Sequence, residues 1–367
     1  MDLRLSLLGL GLVLACGGEL GAQRPIVGAI RWDGWHGSAS QVGEVLEGTL
    51  GPKRYHHRLP FFAEVVSDTE VSIVGNTQEI VDEEIAYARG AGLDYWAFVT
   101  YPADYVMSEP LKLYLASERK SDIHFCLNLQ GGWEGGGGLD AWPEKVERYV
   151  EYFRDPCYQT VLDGRPLVYL YSLADLIGDG RFKDWPEARQ AFDQLRAATV
   201  EAGVPTPYVV AQDWTPQAAT EAMERLGLDA IGAYALAGGG IEAPYIDLAA
   251  HVESWWDGAK EAGAPVVPLV MAGWDRRPRI ERPHPWEPWQ KPGEGMDRYY
   301  ESPTPAELAT HLGHALEWVA SNSSIAEANA VLIYAWNEND EGGWIVPTLG
   351  DGAARLDAIA EVLPAAD

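Results

Sequence analysis

An alternation constrains this fold more than any other feature of the sequence. Eight short apolar runs, at 26–32, 95–101, 123–129, 166–172, 208–213, 230–235, 265–271 and 330–336, are separated by stretches of helical periodicity. Most of the runs are apolar almost throughout, as strands covered on both faces must be, and such strands belong to parallel sheets under helices. The stretches between them repeat apolar residues three and four apart: Val81, Ile85 and Ala88; Phe192, Leu195 and Thr199; Leu308, Leu312, Leu316 and Val319. Asn76, with Glu79 three residues on, reads as the start of the first of these helices. Further helices fit 109–118, 143–154, 215–226, 248–262 and 353–363. Eight strand-then-helix units predict a single (β/α)8 barrel. A doubly wound open sheet would carry a glycine-rich phosphate turn after its first strand. Ile30-Arg31-Trp32-Asp33-Gly34-Trp35 stands there instead.

Two connections, 33–75 and 272–304, are far longer than the ~4–6 residues usual in compact domains. Both follow strands, so in a barrel both lie on the face where strand ends converge on a site. Gly135 to Gly138 reads as a local flexible hinge, and no linker divides off a second domain. The strand ends supply Arg31, Asp33 and Trp35; Thr100 and Tyr101; Asn128, Gln130 and Trp133; Tyr171; Gln212, Asp213 and Trp214; Tyr234; Trp274, Asp275, Arg276 and Arg277; and Trp336, Asn337, Glu338, Glu341 and Trp344. Carboxylates, amides and arginines hydrogen-bond hydroxyls, while flat aromatic faces cover the C–H faces of a sugar ring. Many of the 15 tryptophans fall in these loops, although any single indole is as easily a core filler.

The last apolar run ends in Trp336-Asn337-Glu338-Asn339-Asp340-Glu341-Gly342-Gly343. Glycoside hydrolysis needs two carboxyl groups, one giving a proton and one acting as base or nucleophile. Glu338 and Glu341 are the candidates, and the glycines let the backbone turn closely behind them. The plain alternative is solvated surface charge. A calcium loop is excluded because Thr348 stands where its closing glutamate belongs. His56-His57 and the pair His311 and His314 have no partner at zinc-protease spacing, so no metal is expected, and no cofactor motif appears.

The stretch AWNENDEGGWIVP resembles the NAWNEWAEG…LEP and FNEWHEG…IEP signatures of the barrels that include glycoside hydrolase family 99 and the WbsX-like proteins. IAYARGAGLDYWAFVTY, FCLNLQGGWE, YFRDPCYQTVLDGRPLVYLY and MAGWDRRPR are similar to that group's second, third, fourth and seventh strand units, in the same order. Asn339-Asp340 stand where the group has Trp-His or Trp-Ala, and Val346 stands where it has Glu. The resemblance implies a retaining glycosidase acting through a 1,2-anhydro sugar. Glu338 would be the base at the 2-hydroxyl and Glu341 the acid at the leaving oxygen. Arg31, Asp33, Trp35, Tyr101, Trp133, Asp213, Trp274, Asp275, Arg276, Trp336, Asn337 and Trp344 are the expected substrate contacts. A glycosyltransferase of surface polysaccharide assembly is the alternative, although no Asp-Xaa-Asp pair occurs. A non-catalytic carbohydrate-binding barrel is a third possibility.

A formal net charge of -28 repels nucleic acid and anionic membranes, leaving a carbohydrate as the expected partner. The first residues read as an export signal, 1–22, ahead of a catalytic barrel at 23–367. Arg4 precedes an apolar run at 5–15 that is too short to span a membrane, and Val13-Leu14-Ala15-Cys16 resembles a lipobox that would anchor Cys16 to lipid. A secreted, periplasmic or outer-surface protein is expected. Cys126 lies in an apolar strand and reads as a buried thiol, although export would permit a bridge to Cys157.

Overall fold

The structure, a computed structural model, describes residues 24–363, so the export segment with Cys16 lies outside the described residues. Eight barrel strands follow in order: β1 (Ile26–Arg31), β2 (Tyr95–Val99), β3 (His124–Gln130), β4 (Arg165–Tyr171), β5 (Tyr208–Gln212), β6 (Ala230–Gly232), β7 (Leu269–Met271) and β8 (Ala330–Tyr334). Each pairs in parallel with the next from β1 to β6, β7 pairs with β8, and β8 returns to β1. A parallel bridge between Ile231 and Val266 closes the remaining seam. There Ile231 N–H donates to the Pro265 carbonyl at 2.8 Å and Val267 N–H to Ile231 at 3.0 Å. The seventh run was expected to be laddered from 265, but regular pairing begins only at Leu269. Pro265 and Pro268 have no N–H to donate, which confines the ladder to the end of the run. The sixth strand likewise stops at Gly232 rather than at 235.

The barrel helices are α1 (Gln78–Gly90), α2 (Glu109–Ala116), α3 (Gly138–Phe153), α4 (Trp185–Glu201), α5 (Pro216–Leu226), α6 (Tyr245–Ala262), α7 (Pro305–Ser321) and α8 (Ala354–Val362). Thr77, not Asn76, caps α1, its side chain accepting from Ile80 N–H. The reciprocal Ser/Thr–Glu cap occurs at α7 instead, between Thr304 and Glu307. Two of the four glycines expected to form a hinge, Gly135 and Gly138, are buried. A short helix, Gly131–Gly135, abuts the next loop so closely that a Cβ on Gly135 would lie 2.3 Å from the Leu176 carbonyl oxygen. Helix α3 therefore begins at Gly138, five residues before the expected 143.

Val81, Ile85 and Ala88 of α1, Phe192 and Leu195 of α4, and Leu308, Leu312 and Val319 of α7 are buried against the strands. Removing each large apolar side chain from water contributes ~1.5–3 kcal/mol. Cys126 and Cys157 are both buried and both free. The long connection after β1 has a small core of its own, in which Trp35, Leu46, Leu50, Tyr55, Leu59 and Ile73 pack together. Arg58 of that connection donates to the Asp275 carbonyl at 2.9 Å and pairs with its carboxylate, while Asn339 donates to the Arg58 carbonyl at 2.6 Å. The two long loops and the turn after β8 thus meet at one point on the C-terminal face of the barrel.

Candidate active site

The site is built on the turn that follows β8. Asn337–Glu338 and Gly343–Trp344 form a two-residue antiparallel ladder. Within it Glu341 N–H donates to the Glu338 carbonyl at 3.1 Å, which folds Glu341 back toward Glu338. Gly342 has φ of +88°, and a Cβ there would lie 2.3 Å from Asp275 N. Asp275 N–H donates to the Glu341 carbonyl at 2.6 Å, so the seventh-strand loop is laced to this turn through backbone that only glycine leaves accessible.

Glu338, Asp340 and Glu341 are all buried. One cation makes that tolerable. Arg279, itself buried, donates from Nε to Asp340 Oδ2 at 2.6 Å, from Nη1 to Glu341 Oε1 at 2.5 Å and from Nη2 to Glu338 Oε2 at 3.1 Å. Its Nη1 also reaches Glu287 Oε1 at 3.3 Å. Arg276 binds Glu287 with both oxygens at 2.5 Å and lies 3.1 Å from Glu341 Oε1. Two tyrosines complete the set. Tyr234 donates to Glu338 Oε1 at 2.8 Å, and Tyr334 donates to Glu341 Oε2. Burial and the adjacent carboxylates push both phenols far up, so they remain neutral donors.

The three acids do not share one electrostatic environment. Burial, and then the nearby Glu341 charge, push the Glu338 carboxyl well above the usual glutamate range, with Arg279 only partly opposing. Burial also works against the Asp340 carboxylate, but Arg279 outweighs it and holds Asp340 below its usual range. His284, 3.3 Å from Asp340, is pushed down to about 3, first by burial and then by Arg279, so it is a neutral imidazole at working pH. Asp340 is thus the fixed counter-charge of Arg279, whereas Glu338 has a raised hold on its proton.

The residues expected at the site fall into separate groups. Glu338, Glu341, Arg276 and Trp274 converge, with Trp274 5.8 Å from the Tyr334 ring. Tyr101 is near as well, since the Glu338 charge helps burial to raise its phenol. Trp133 stands beyond Tyr101, the ring centres 6.1 Å apart, over a separate cavity of about 410 Å³. Arg31, Asp33, Trp336 and Asn337 form a buried floor instead. Arg31 pairs with Asp33 at 2.7 Å and with Glu84 at 2.8 Å, and Trp336 donates to Glu84 at 2.7 Å. Asn337 donates to Asp33 at 3.0 Å, which ties β8 to β1. Trp336 is fully buried and offers no ring face to a ligand. Trp344 is covered by Arg355, whose guanidinium lies 4.0 Å from the ring centre, and Trp35 sits in the core of the first long loop. Asp275 pairs with Arg58 and Arg277 rather than with Arg276, so it braces the rim. Asp213 accepts from Trp214 N–H at 2.7 Å, at the end of β5.

Arg279, Tyr334 and Asp340 were not expected here. The signal for Arg279 was available: three acids on one apolar strand end require a buried cation, and MAGWDRRPR holds three arginines. Which of the three reaches all three acids is not a property of the local sequence.

No protein-family model and no curated protein sequence matches this chain. Among solved structures, the family 99 endo-α-mannosidase from Bacteroides thetaiotaomicron superposes with a TM-score of 0.57 at 14% identity, over 92% of this chain and 95% of that one. The same enzyme in complex with bis-tris-propane gives 0.56 at 15% identity, over 92% and 94%. This likeness is one of fold. The chain is a (β/α)8 barrel similar in fold to that enzyme.

Proposed function

We propose that this chain is an exported glycoside hydrolase that cleaves a poly- or oligosaccharide with retention of configuration, using Glu338 and Glu341. The observation that carries this is the placement of two buried carboxyls on one turn at the C-terminal mouth of a glycosidase-type barrel. Each is held by a tyrosine, and an indole, Trp274, stands beside them. Glu338 is the base. Its burial beside Glu341 gives it a high proton affinity, and a base that draws a proton from a sugar hydroxyl gains driving force from that affinity. Glu341 is the acid at the leaving oxygen, so the proton that Glu338 holds in the free site must rest on Glu341 once the sugar is bound. Attack by the freed 2-oxygen on the anomeric carbon expels the leaving group and forms a 1,2-anhydro sugar. Water then opens it, with the two carboxyls exchanging their proton duties. Arg279 holds both carboxyls and Arg276 holds Glu341, and neither contributes a proton.

The test is hydrolysis of a polysaccharide panel with analysis of the products. Glu338→Gln and Glu341→Gln should each fold and each lose ~10²–10⁴-fold in turnover, the usual contribution of a positioned acid or base. Near wild-type rates in either variant would remove that residue from the chemistry. Binding of a nucleotide sugar with no hydrolysis would favour a transferase, and glycan affinity without product release a binding barrel. The mature protein should begin near Gln23 or at a lipidated Cys16. Met1 retained in protein from its native host would rule out export.

A further inference from the structure

A cavity of about 510 Å³ lies beside the carboxylate turn and takes no part in the acid–base step above. It opens between the loops after β5, β6 and β7, lined by Trp214, Gly238 to Gly240, Trp274, Arg276 and Arg298 among others. Its size falls in the ~300–1,000 Å³ range of small-molecule sites. Trp214 is 59% exposed, so its ring is open to a ligand in this cavity. Tyr300 holds the glycine wall in place by accepting Gly240 N–H at 2.9 Å, and Gly239 faces open space. The cavity is continuous with the chemistry through Arg276, which lines it and lies 3.1 Å from Glu341.

The charged groups of this cavity differ in how they are committed. Arg276 is held by Glu287 and Glu341, and Glu294 is paired with Lys291 at 3.3 Å. Arg298 is exposed, and among the described residues its guanidinium has no hydrogen-bond or ion-pair partner. Several cations among the described residues make no ion pair, and Arg298 is the one of them that lines this cavity. Its planar fork of donors suits a carboxylate or a sulfate oxygen pair. Two indoles and a free guanidinium around one cavity therefore match a sugar ring bearing a negative charge.

We propose that this cavity is a subsite for an anionic sugar, carrying a carboxylate or a sulfate, with Arg298 recognising the anion and Trp214 and Trp274 covering the ring. This names the substrate class of the hydrolase proposed above and rests on that reading.

The test is calorimetric titration at ~0.15 M ionic strength, where a Debye length of ~8 Å screens the chain's net charge of -28 from the subsite, with paired tetrasaccharides: uronate-containing chains against their carboxyl-reduced forms, and sulfated chains against their desulfated forms. Wild-type protein should bind one acidic chain about 3- to 10-fold more tightly than its neutral counterpart, the range expected of a partly exposed charge-assisted contact. Arg298→Ala should bring that ratio toward one, Arg298→Lys should keep part of it, and Arg298→Glu should invert it. The pair that shows the preference identifies the anion as carboxylate or sulfate. No preference in any pair, or a preference untouched by Arg298→Ala, would overturn the subsite. A charge preference with no product released would refute the hydrolase and leave the subsite standing. Products from neutral chains with no charge preference would do the reverse.

Discussion

Arg279→Met tests whether one guanidinium holds the site together. Methionine keeps most of the length and apolar volume of the side chain, so the loss is chiefly electrostatic. In the native protein Arg279 reaches Asp340, Glu341, Glu338 and Glu287. Removing one partner of a buried ion pair costs ~3–5 kcal/mol because the other charge stays buried and uncompensated. Residues 24–363, at an unfolding entropy of ~2.1 cal/mol/K each, give ~0.7 kcal/mol/K in all, so the melting temperature should fall by ~4–7 °C at pH 7.5. The pH dependence adds a sharper requirement. Asp340 has a depressed folded-state pKa, so it contributes stability above its unfolded value of ~3.9 and loses it as pH falls through the folded value. Without Arg279, burial alone acts on the acids and drives their pKa values up. They take up protons as pH falls, and the penalty shrinks. The gap between wild type and variant should therefore be widest at pH 7.5 and clearly narrower at pH 5, measured by calorimetric melts of both proteins. A gap of the same size at both values, or one below ~1 °C at pH 7.5, would refute the reasoning.

Glu338 supplies a second pH prediction. Its raised pKa means that the base ionises late, so the rising limb of kcat/KM against pH should lie above the ~4.3 of an ordinary glutamate, and a limb at or below that value would remove Glu338 as the base. Trp274→Ala should weaken glycan binding or turnover by ~1–3 kcal/mol with little change in melting temperature. A destabilised protein with unchanged glycan affinity would make Trp274 part of the barrel rim instead. Gly342→Ala forces a side chain onto a φ of +88° and into Asp275 N, so it should cost more than ~1 kcal/mol and depress turnover; a fully stable, fully active variant would show that the turn tolerates a Cβ.

The barrel was legible in the sequence because its information is local. A strand covered on both faces must be apolar throughout, and a helix lying on it must repeat at three and four residues, so eight such units announce themselves without any knowledge of their neighbours. The position of Glu338 and Glu341 as candidates was legible in the same way, since acids and glycines at the end of a buried strand conflict with the run before them. What the chain does with those acids was settled only by contacts across long separations. Arg279 and Asp340 are 61 residues apart, and Arg31 meets Glu84 across 53. Three arginines within MAGWDRRPR look alike in sequence, yet Arg277 goes to Asp275 at the rim while Arg279 enters the site. Trp336 and Trp274 both end strands, yet one is sealed beneath the site by Glu84 and Trp96 and the other stands beside the carboxyls. Apolar periodicity is read along the chain, but the pairing of a buried charge is decided by which distant group shares its cavity, since desolvation leaves it no other partner.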